Sequence, residues 1–392
     1  YRPDVEWAAE RQFLLNNYFP QRSAILLGQF RAQGMYPGVA APTYSRYGGL
    51  VEPGYILTLA APAEAIYYSL DGTDPRQAGG GLQPGVHLHE GDSISIFEDT
   101  EVLARSRGAG EWSALERAVF VTDEPTPLRL TEIMYHPPEP LQMPEGIEAD
   151  DFEFIEVLNT SATRVSLAGQ VVDSGVGFTF RDGLKRFLEP GEAGVLVSHL
   201  GSFLERYPDA GGSVLGEYRR QLGNAGDRLV WRDAVGRVLL SVTFEDTWYP
   251  RTDGEGYSLT IRSLEAPTDS IDSAEAWVPS SVFLGTPGTV ENIDSDNLRL
   301  PGDANEDGML DLSDAISLLG ILFLLGDGEL PCGADEITDP GARDLLDVNG
   351  DLGVDLTDAI SLLLYLFQGG APPALGSDCR PMRPCEGICP GP

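Results

Sequence analysis

Two acidic segments near the end of the chain repeat each other, and they constrain its fold more than any other feature. The first covers residues 303–314 and the second covers residues 347–358, which start 44 residues later. Each segment continues directly into the same apolar text, Ala-Ile-Ser-Leu-Leu, which begins at Ala315 and again at Ala359. A period of this length is typical of repeated supersecondary units. The sequence therefore predicts two copies of one loop–helix unit.

Each acidic segment can place oxygen atoms at positions 1, 3, 5, 7, 9 and 12 of a loop, the spacing that calcium-binding loops use. In the first loop these residues are Asp303, Asn305, Asp307, Met309 through its carbonyl, Asp311 and Asp314. In the second loop they are Asp347, Asn349, Asp351, Gly353 through its carbonyl, Asp355 and Asp358. The sequence predicts two calcium (Ca²⁺) sites. Because the carboxylates would repel one another without a cation, we expect folding of this segment to depend on metal.

The two loops differ at position 6, where the chain must turn sharply. Gly308 occupies this position in the first loop, whereas Leu352 occupies it in the second, with Gly353 one position later. Because a bulky residue at such a turn is costly, we expect the second site to be weaker or distorted. The alternative to metal binding is a pair of solvated acidic turns in which Asp314 and Asp358 cap the helices that follow.

All four cysteines lie late in the chain. Cys332 falls between the repeats, and Cys379, Cys385 and Cys389 follow them. Four cysteines allow three pairings, and an exported protein would oxidise them. Zinc binding is the alternative, although the spacing lacks the usual C-x2-C knuckle and a nearby His. We expect disulfides, with the pairing left open.

The charge of the chain excludes several classes of partner. Its formal net charge of −35 at pH 7 repels nucleic acid phosphates and anionic membranes and attracts divalent cations. No run of about 18 apolar residues is present, so we expect no membrane insertion. The sequence starts at Tyr1 without a signal peptide, and we therefore expect a mature or truncated piece of an exported protein.

The rest of the chain has the pattern of small β domains. Its 46 Gly and 29 Pro favour turns between short strands. Residues 4–33 have helical spacing, with Pro20 in the first turn of a second helix. Strand patterns follow around residues 66–70, 102–106, 118–121, 130–133, 154–157, 195–197 and 229–231. We expect a mainly β fold with two β-sandwiches, a short N-terminal helical segment and a small α-helical calcium module.

The two loop–helix units resemble dockerin type I domains, which are EF-hand-like calcium modules. The resemblance covers about residues 302–370 and implies binding to a cohesin-like protein. Family members contact their partner with the residues at loop positions 10 and 11, which here are Leu312, Ser313, Leu356 and Thr357. The 44-residue period is longer than usual, and tails of this kind are typical of secreted proteins from planctomycete-type bacteria.

The middle of the chain resembles the lamin-tail domain, an immunoglobulin-like β-sandwich. The matching text is LTEIMY at 130–135, EFIE at 153–156, VSLAG at 165–169, LGNAGD at 222–227, DGEGYSL at 253–259 and GTPG at 285–288. Gln170 stands where the family usually has Trp. Family members are non-catalytic adhesion or interaction modules, and we interpret Glu132, Glu153 and Glu156 as structural rather than acid/base residues.

Two further resemblances cover the first part of the chain. The text YYSLDGTDPR at 67–76 resembles the accessory β-sandwich at the C-terminus of chitobiase-type enzymes. The texts YFPQR at 18–22 and GMYP at 34–37 resemble the last helices of a CotH-type kinase-like domain. The catalytic part of that domain would lie upstream, and this chain has no phosphate-binding loop or kinase motif set.

Together the resemblances predict a domain order and a function. The predicted segments are an upstream-domain helical end (1–36), a chitobiase-like sandwich (37–122), a lamin-tail domain (127–292), a linker (293–300), dockerin-like repeats (301–370) and a Cys-rich tail (371–392). We expect a non-catalytic attachment region of a secreted or cell-surface bacterial protein, docking to a cohesin-like protein or a cell-surface component. The alternative is the accessory region of a kinase-like or glycan-active enzyme whose catalytic domain lies upstream.

Overall fold

The computed structural model describes residues 3–62, 65–124, 126–139, 146–264, 270–290, 298–324, 330–377, 379–382 and 385. The chain forms two compact units, Tyr1–Glu124 and Pro125–Pro392. Most of the expected linker at 293–300 and the last residues of the Cys-rich tail, from 386 onward, lie outside the described residues. Among the described helices, none is long and apolar enough to cross a membrane.

The first unit begins with a helical run that contains two π-helical turns. Its α-helices are α1 (Ala8–Phe13) and α2 (Phe19–Ala32), and π-helical turns cover Pro3–Trp7 and Leu14–Tyr18. The predicted second helix is confirmed as α2, with Pro20 in its first turn, where a missing N–H removes no intrahelical hydrogen bond. The backbone stays right-handed helical through Tyr18 and Phe19, so α2 continues directly from the second π turn. Neither α1 nor α2 has a buried residue.

The remainder of the first unit is built from short strands. They are β1 (Thr43–Tyr44), β2 (Gly49–Val51), β3 (Tyr55–Leu57), β4 (Leu59–Ala60), β5 (Ala65–Ser69), β6 (His87–His89), β7 (Ile94–Ile96), β8 (Thr100–Gly108), β9 (Glu111–Trp112) and β10 (Glu116–Thr122). The main sheet has the order β2-β10-β8-β5-β6, and β1 pairs with β4 and β3 with β7. Leu57, Ile96 and Phe120 are fully buried between these layers. The three predicted strands of this region are confirmed as β5, β8 and β10.

The second unit contains a two-sheet β region with one shared core. Its strands are β11 (Leu128–Met134), β12 (Phe154–Asn159), β13 (Val165–Ser166), β14 (Val171–Ser174), β15 (Phe178–Thr179), β16 (Phe187–Leu188), β17 (Ala193–Val197), β18 (Val214–Glu217), β19 (Gly226–Arg232), β20 (Val238–Glu245), β21 (Leu259–Ile261) and β22 (Trp277–Pro279), with helix α3 at Leu200–Arg206. One sheet has the order β18-β17-β12-β11-β21-β22 and the other β15-β14-β19-β20. Ile155 of the first sheet and Trp231 of the second belong to one buried cluster. The four predicted strands here are confirmed as β11, β12, β17 and β19.

The end of the second unit, from Leu298 to Cys385, is here called the repeat module. It comprises β23 (Leu298–Arg299), α4 (Leu312–Phe323), α5 (Pro340–Leu346), α6 (Leu356–Gln368) and β24 (Arg380–Pro381). Both helices that follow the acidic loops form as predicted. Leu318 of α4, Leu345 of α5 and Leu362 of α6 meet in one core. The module is thus a small helical bundle closed by a two-stranded ribbon.

Candidate metal sites in the duplicated loops

The first acidic loop is organised around two buried carboxylates. Asp303 and Asp314 are 1% and 0% exposed. The Asp303 carboxylate accepts hydrogen bonds from the backbone N–H groups of Asp307 at 3.0 Å and Gly308 at 2.8 Å. The Asp314 carboxylate accepts the N–H groups of Asn305 at 3.3 Å and Asp311 at 2.8 Å. The side chains at positions 1 and 12 therefore accept hydrogen bonds from the backbone at positions 3, 5, 6 and 9 of the loop.

The second loop repeats these four hydrogen bonds and adds a fifth, from the Gly350 N–H to Asp347 at 2.8 Å. Asp347 and Asp358 are 2% and 0% exposed. Asp347 accepts N–H groups of Asp351 and Leu352, each at 3.1 Å, and Asp358 accepts those of Asn349 at 3.0 Å and Asp355 at 2.8 Å. The repeat in the sequence is therefore also a repeat in the hydrogen bonds of the loops.

Burial disfavours the charged form of several of these carboxylates. Desolvation raises the pKa of Asp314 to about 6, and the nearby Asp303 and Asp307 carboxylates add to the rise. Desolvation likewise raises the pKa of Asp303 and of Asp358. A cation beside such groups would favour their charged forms. The atoms that each loop offers to a metal are all oxygens, which are the ligands that calcium prefers.

The Asn at position 3 of each loop donates hydrogen bonds from its side-chain amide. Asn305 Nδ2 donates to Asp307 Oδ2 at 2.9 Å and to Ser313 Oγ at 2.7 Å. Asn349 Nδ2 does the same toward Asp351 at 3.1 Å and Thr357 at 2.7 Å. Within the described part of the chain, no group of three or more His, Cys, Asp or Glu is arranged to hold a metal as it stands. The carboxylates point instead toward N–H donors of their own loops.

Helix capping also uses the loop carboxylates, but not as the sequence suggested. The N-caps are Asp311 and Asp355 at position 9, whose side chains accept the N–H groups of Ser313 and Thr357, each at 2.7 Å. Asp314 and Asp358 sit at the third helical position and complete a capping box with them. Assigning the cap to Asp314 and Asp358 was wrong because a capping side chain reaches forward from outside the helix.

Backbone strain is present in both loops rather than in the second alone. Leu352 at position 6 has φ +64°, as expected from the need for a turn there. Glu306, at position 4 of the first loop, has φ +61°, whereas the second loop has Gly350 at that position. Each loop thus has one glycine and one larger residue in the left-handed region, at exchanged positions. Leu352 by itself therefore does not explain a weaker second site.

The residues predicted to dock a partner have different environments. Leu312 and Leu356 are both 47% exposed, at the start of α4 and α6. The hydroxyls of Ser313 and Thr357 are engaged within the loops, where they donate to Asp311 at 2.6 Å and Asp355 at 2.7 Å. The leucines are available to a partner protein, whereas the hydroxyls already have hydrogen-bond partners in their own loops.

Each helix also exposes apolar residues that the sequence prediction did not assign. They are Ile316 and Phe323 on α4, 61% and 66% exposed, and Ile360 and Phe367 on α6, 45% and 66% exposed. With Leu312 and Leu356 they form two equivalent rows, here called the apolar stripes. The 44-residue period, and the spacing of four and then seven residues within each helix, were the signals that would have found them.

Two of the four candidate cysteines cross-link the repeat module. Cys332, between the repeats, is bonded to Cys385, beyond the second helix. Cys379 is also disulfide-bonded, and Cys389 lies outside the described residues. The module is therefore closed covalently as well as by its core.

Three buried glutamates hold the β region of the second unit together. Glu153 accepts Tyr218 Oη and the Leu222 N–H, each at 2.9 Å. Glu156 accepts Thr131 Oγ1 at 2.6 Å and the Gly288 N–H at 2.7 Å, and Glu132 accepts the Thr286 N–H at 2.9 Å. Gln170 similarly accepts Trp231 Nε1 at 2.7 Å. These carboxylates tie loops to strands, which supports a structural role for them.

Comparisons with known proteins do not assign the chain to a family. No family model and no curated protein matches it. One solved structure, the crystal structure of a DUF4876 family protein from Bacteroides thetaiotaomicron VPI-5482, aligns with 64% of this chain and 96% of that chain. The identity is 12% and the TM-score 0.25, too low to support an argument about fold or function.

Proposed function

We propose that this chain is the non-catalytic attachment region of an exported bacterial protein, in which a calcium-binding, dockerin-like module docks to a protein partner. The observation that carries the proposal is the double repeat. Two loops with equivalent buried carboxylates and four equivalent hydrogen bonds to them each lead into a helix with an exposed apolar stripe. An acidic turn with no ligand accounts for one such loop more easily than for two.

Calcium would be held by the oxygens at the six predicted positions of each loop. The buried carboxylates of Asp303 and Asp314, and of Asp347 and Asp358, would be its strongest ligands because they are already desolvated. The ion would supply positive charge to carboxylates that otherwise interact with backbone N–H groups. Because Asp314 and Asp358 belong to the capping boxes, ion binding to them would also fix the start of the following helix.

The apolar stripes indicate the chemistry of the partner surface. A row of Leu312, Ile316 and Phe323 is larger than the scattered apolar residues that normal surfaces show. Its counterpart on α6 presents the same residue types. We infer a separate protein with an apolar surface, a cohesin-like domain being the first candidate and a cell-surface component the second.

The β regions fit the role of positioning modules. The two-sheet region with a shared core supports the lamin-tail, immunoglobulin-like assignment, and the strands of the first unit support the chitobiase-like one. The second candidate function is an accessory region of a CotH-like or glycan-active enzyme. One observation favours it: Trp7, Phe13 and Phe19 of the N-terminal helical run are each more than half exposed, as for a helix that packs on another domain.

Calcium binding is tested by calorimetric titration of the full chain after chelation. We expect two sites, and a rise in stability of about 2.7 kcal/mol per site at a calcium concentration 100 times the dissociation constant. Asp303→Asn and Asp347→Asn serve as matched variants, each expected to remove one site. Absence of binding heat together with an unchanged melting temperature would sink the proposal.

Docking is tested by calcium-dependent capture on a panel of purified cohesin domains. The double variant Ile316→Glu/Ile360→Glu is expected to lose binding by about 30-fold or more, since it buries charge in both stripes. Val238→Glu, a 52% exposed valine on β20, is the control for an added surface charge. Equal binding by the double variant, or capture that persists in chelator, counts against this role for the stripes.

A further inference from the structure

Arg251 joins the β region of the second unit to the second acidic loop. It lies on the short helical turn Pro250–Thr252 and is 0% exposed. Its Nη2 is ion-paired with Asp347, the residue at loop position 1. Its Nη1 lies 3.5 Å from Asp344 Oδ1. A cation from outside the repeat is therefore already present at a predicted calcium ligand.

Arg251 lies in a cluster of aromatic and charged side chains. Its guanidinium lies over the Tyr257 ring, 4.9 Å from the ring centre. Arg343 Nη2 contacts Asp344 Oδ1 at 3.2 Å and Tyr257 Oη at 3.4 Å. Two arginines thus face two aspartates. Charges this deeply buried persist only when they are paired, so Arg251 and Asp347 hold each other in place.

Gly350 of the second loop lies beside this arginine. Gly350, at position 4, has φ +81°; an added Cβ there would be 2.7 Å from Ala374 Cβ, too close, and 3.6 Å from the Arg251 Cγ, an ordinary van der Waals distance. The first loop has Glu306 at the same position. The exchange of residues at position 4 therefore accompanies the approach of Arg251.

The first loop has an arginine nearby, but not at a ligand position. Arg299 Nη1 lies 2.9 Å from Glu306 Oε1, whose residue occupies position 4. In the described contacts, Asp303 pairs with no arginine and is held by backbone N–H groups. The two loops share most of their hydrogen bonds, but only in the second does a cation contact position 1, where Asp347 also accepts one more backbone N–H group, from Gly350.

We propose that Arg251 is a resident cation of the second loop, which keeps that loop folded without calcium, whereas the first loop depends on the metal. The proposal rests on the proposed calcium function only for its statement about the first loop. Asp347 is already oriented by three backbone N–H groups, from Gly350, Asp351 and Leu352. Arg251 therefore contributes charge rather than orientation, and it also lowers the attraction of the second loop for Ca²⁺.

Hydrogen exchange of the full chain, read by mass spectrometry in EDTA and in calcium, tests this. In EDTA we expect the amides of Asp351 and Leu352 to exchange at least about 10-fold more slowly than those of Asp307 and Gly308. Arg251→Met should remove that difference. Arg251→Lys, which keeps the charge, should retain most of it. Arg299→Met, the matched control, should leave the second loop unchanged.

The outcomes separate this inference from the calcium proposal. Equal exchange of the two loops in EDTA in the unmodified chain overturns it, and this comparison needs no variant to fold. Unchanged protection of the second loop in Arg251→Met, with β12 amides showing an intact β region, also overturns it. If calcium slows exchange in neither loop, the calcium proposal fails while the contrast between the loops in EDTA still decides the role of Arg251.

Discussion

Replacing Cys332 and Cys385 together with alanine is expected to lower the free energy of unfolding of the repeat module by about 4 kcal/mol. The disulfide closes a segment in which the two cysteines are 53 residues apart, and a cross-link of that span removes a large amount of conformational entropy from the unfolded chain. The loss is large for a module whose core is small. Chemical denaturation in saturating calcium, followed by circular dichroism at helix wavelengths, measures it.

The control separates this disulfide from the one that includes Cys379. Reductant applied to the double variant should add only the effect of the remaining bond. An unfolding midpoint of the variant equal to that of the oxidised parent would show that the core and the calcium loops hold the module without help.

The second large effect concerns pH and Glu153. Burial raises the pKa of this carboxyl to about 8 from an ordinary value of 4.5. Because the folded pKa is the higher one, the folded state binds the proton more tightly than the unfolded state does. Its contribution is complete below about pH 4.5 and is lost as pH rises through about 8. Ionising it in the folded state costs on the order of 5 kcal/mol more than in the unfolded chain.

Glu153→Gln is expected to flatten the fall in stability of the second unit between about pH 5 and pH 9. Gln retains an oxygen that can accept from Tyr218 and Leu222, and it cannot ionise. Urea denaturation at a series of pH values measures the slope. Glu205→Gln, at an exposed position on α3, is the matched control. A slope in Glu153→Gln as steep as that of the parent would rule out Glu153 as the titrating group.

The sequence predicted most where a signal is local and repeats. Strands such as β5, β12 and β17 follow from runs of β-branched and aromatic residues between turns. The loops followed from ligand spacing, and both helices after them formed as predicted. Pro20 lies in the first turn of α2 as predicted, whereas the π turn before it is a change of hydrogen bonding that composition does not signal.

What escaped prediction depends on contacts between distant residues. Arg251 and Asp347 are 96 residues apart, and no pattern in either segment marks the pair. The same holds for Cys332 and Cys385, whose pairing the sequence left open among three choices. Glu306 was missed because a left-handed residue at position 4 is visible only by comparison with Gly350 in the backbone.

The capping boxes couple calcium binding in the repeat module to the order of the helices that follow the loops. Asp314 is at once a proposed calcium ligand and the residue that secures the first turn of α4, and Leu312 of the apolar stripe lies in that turn. A change in how this carboxylate is bound would therefore alter the order of the surface beside it. Under the proposed function, calcium would act as an allosteric effector of docking: binding of the ion would order a recognition face that begins in the same helical turn, separately in each repeat.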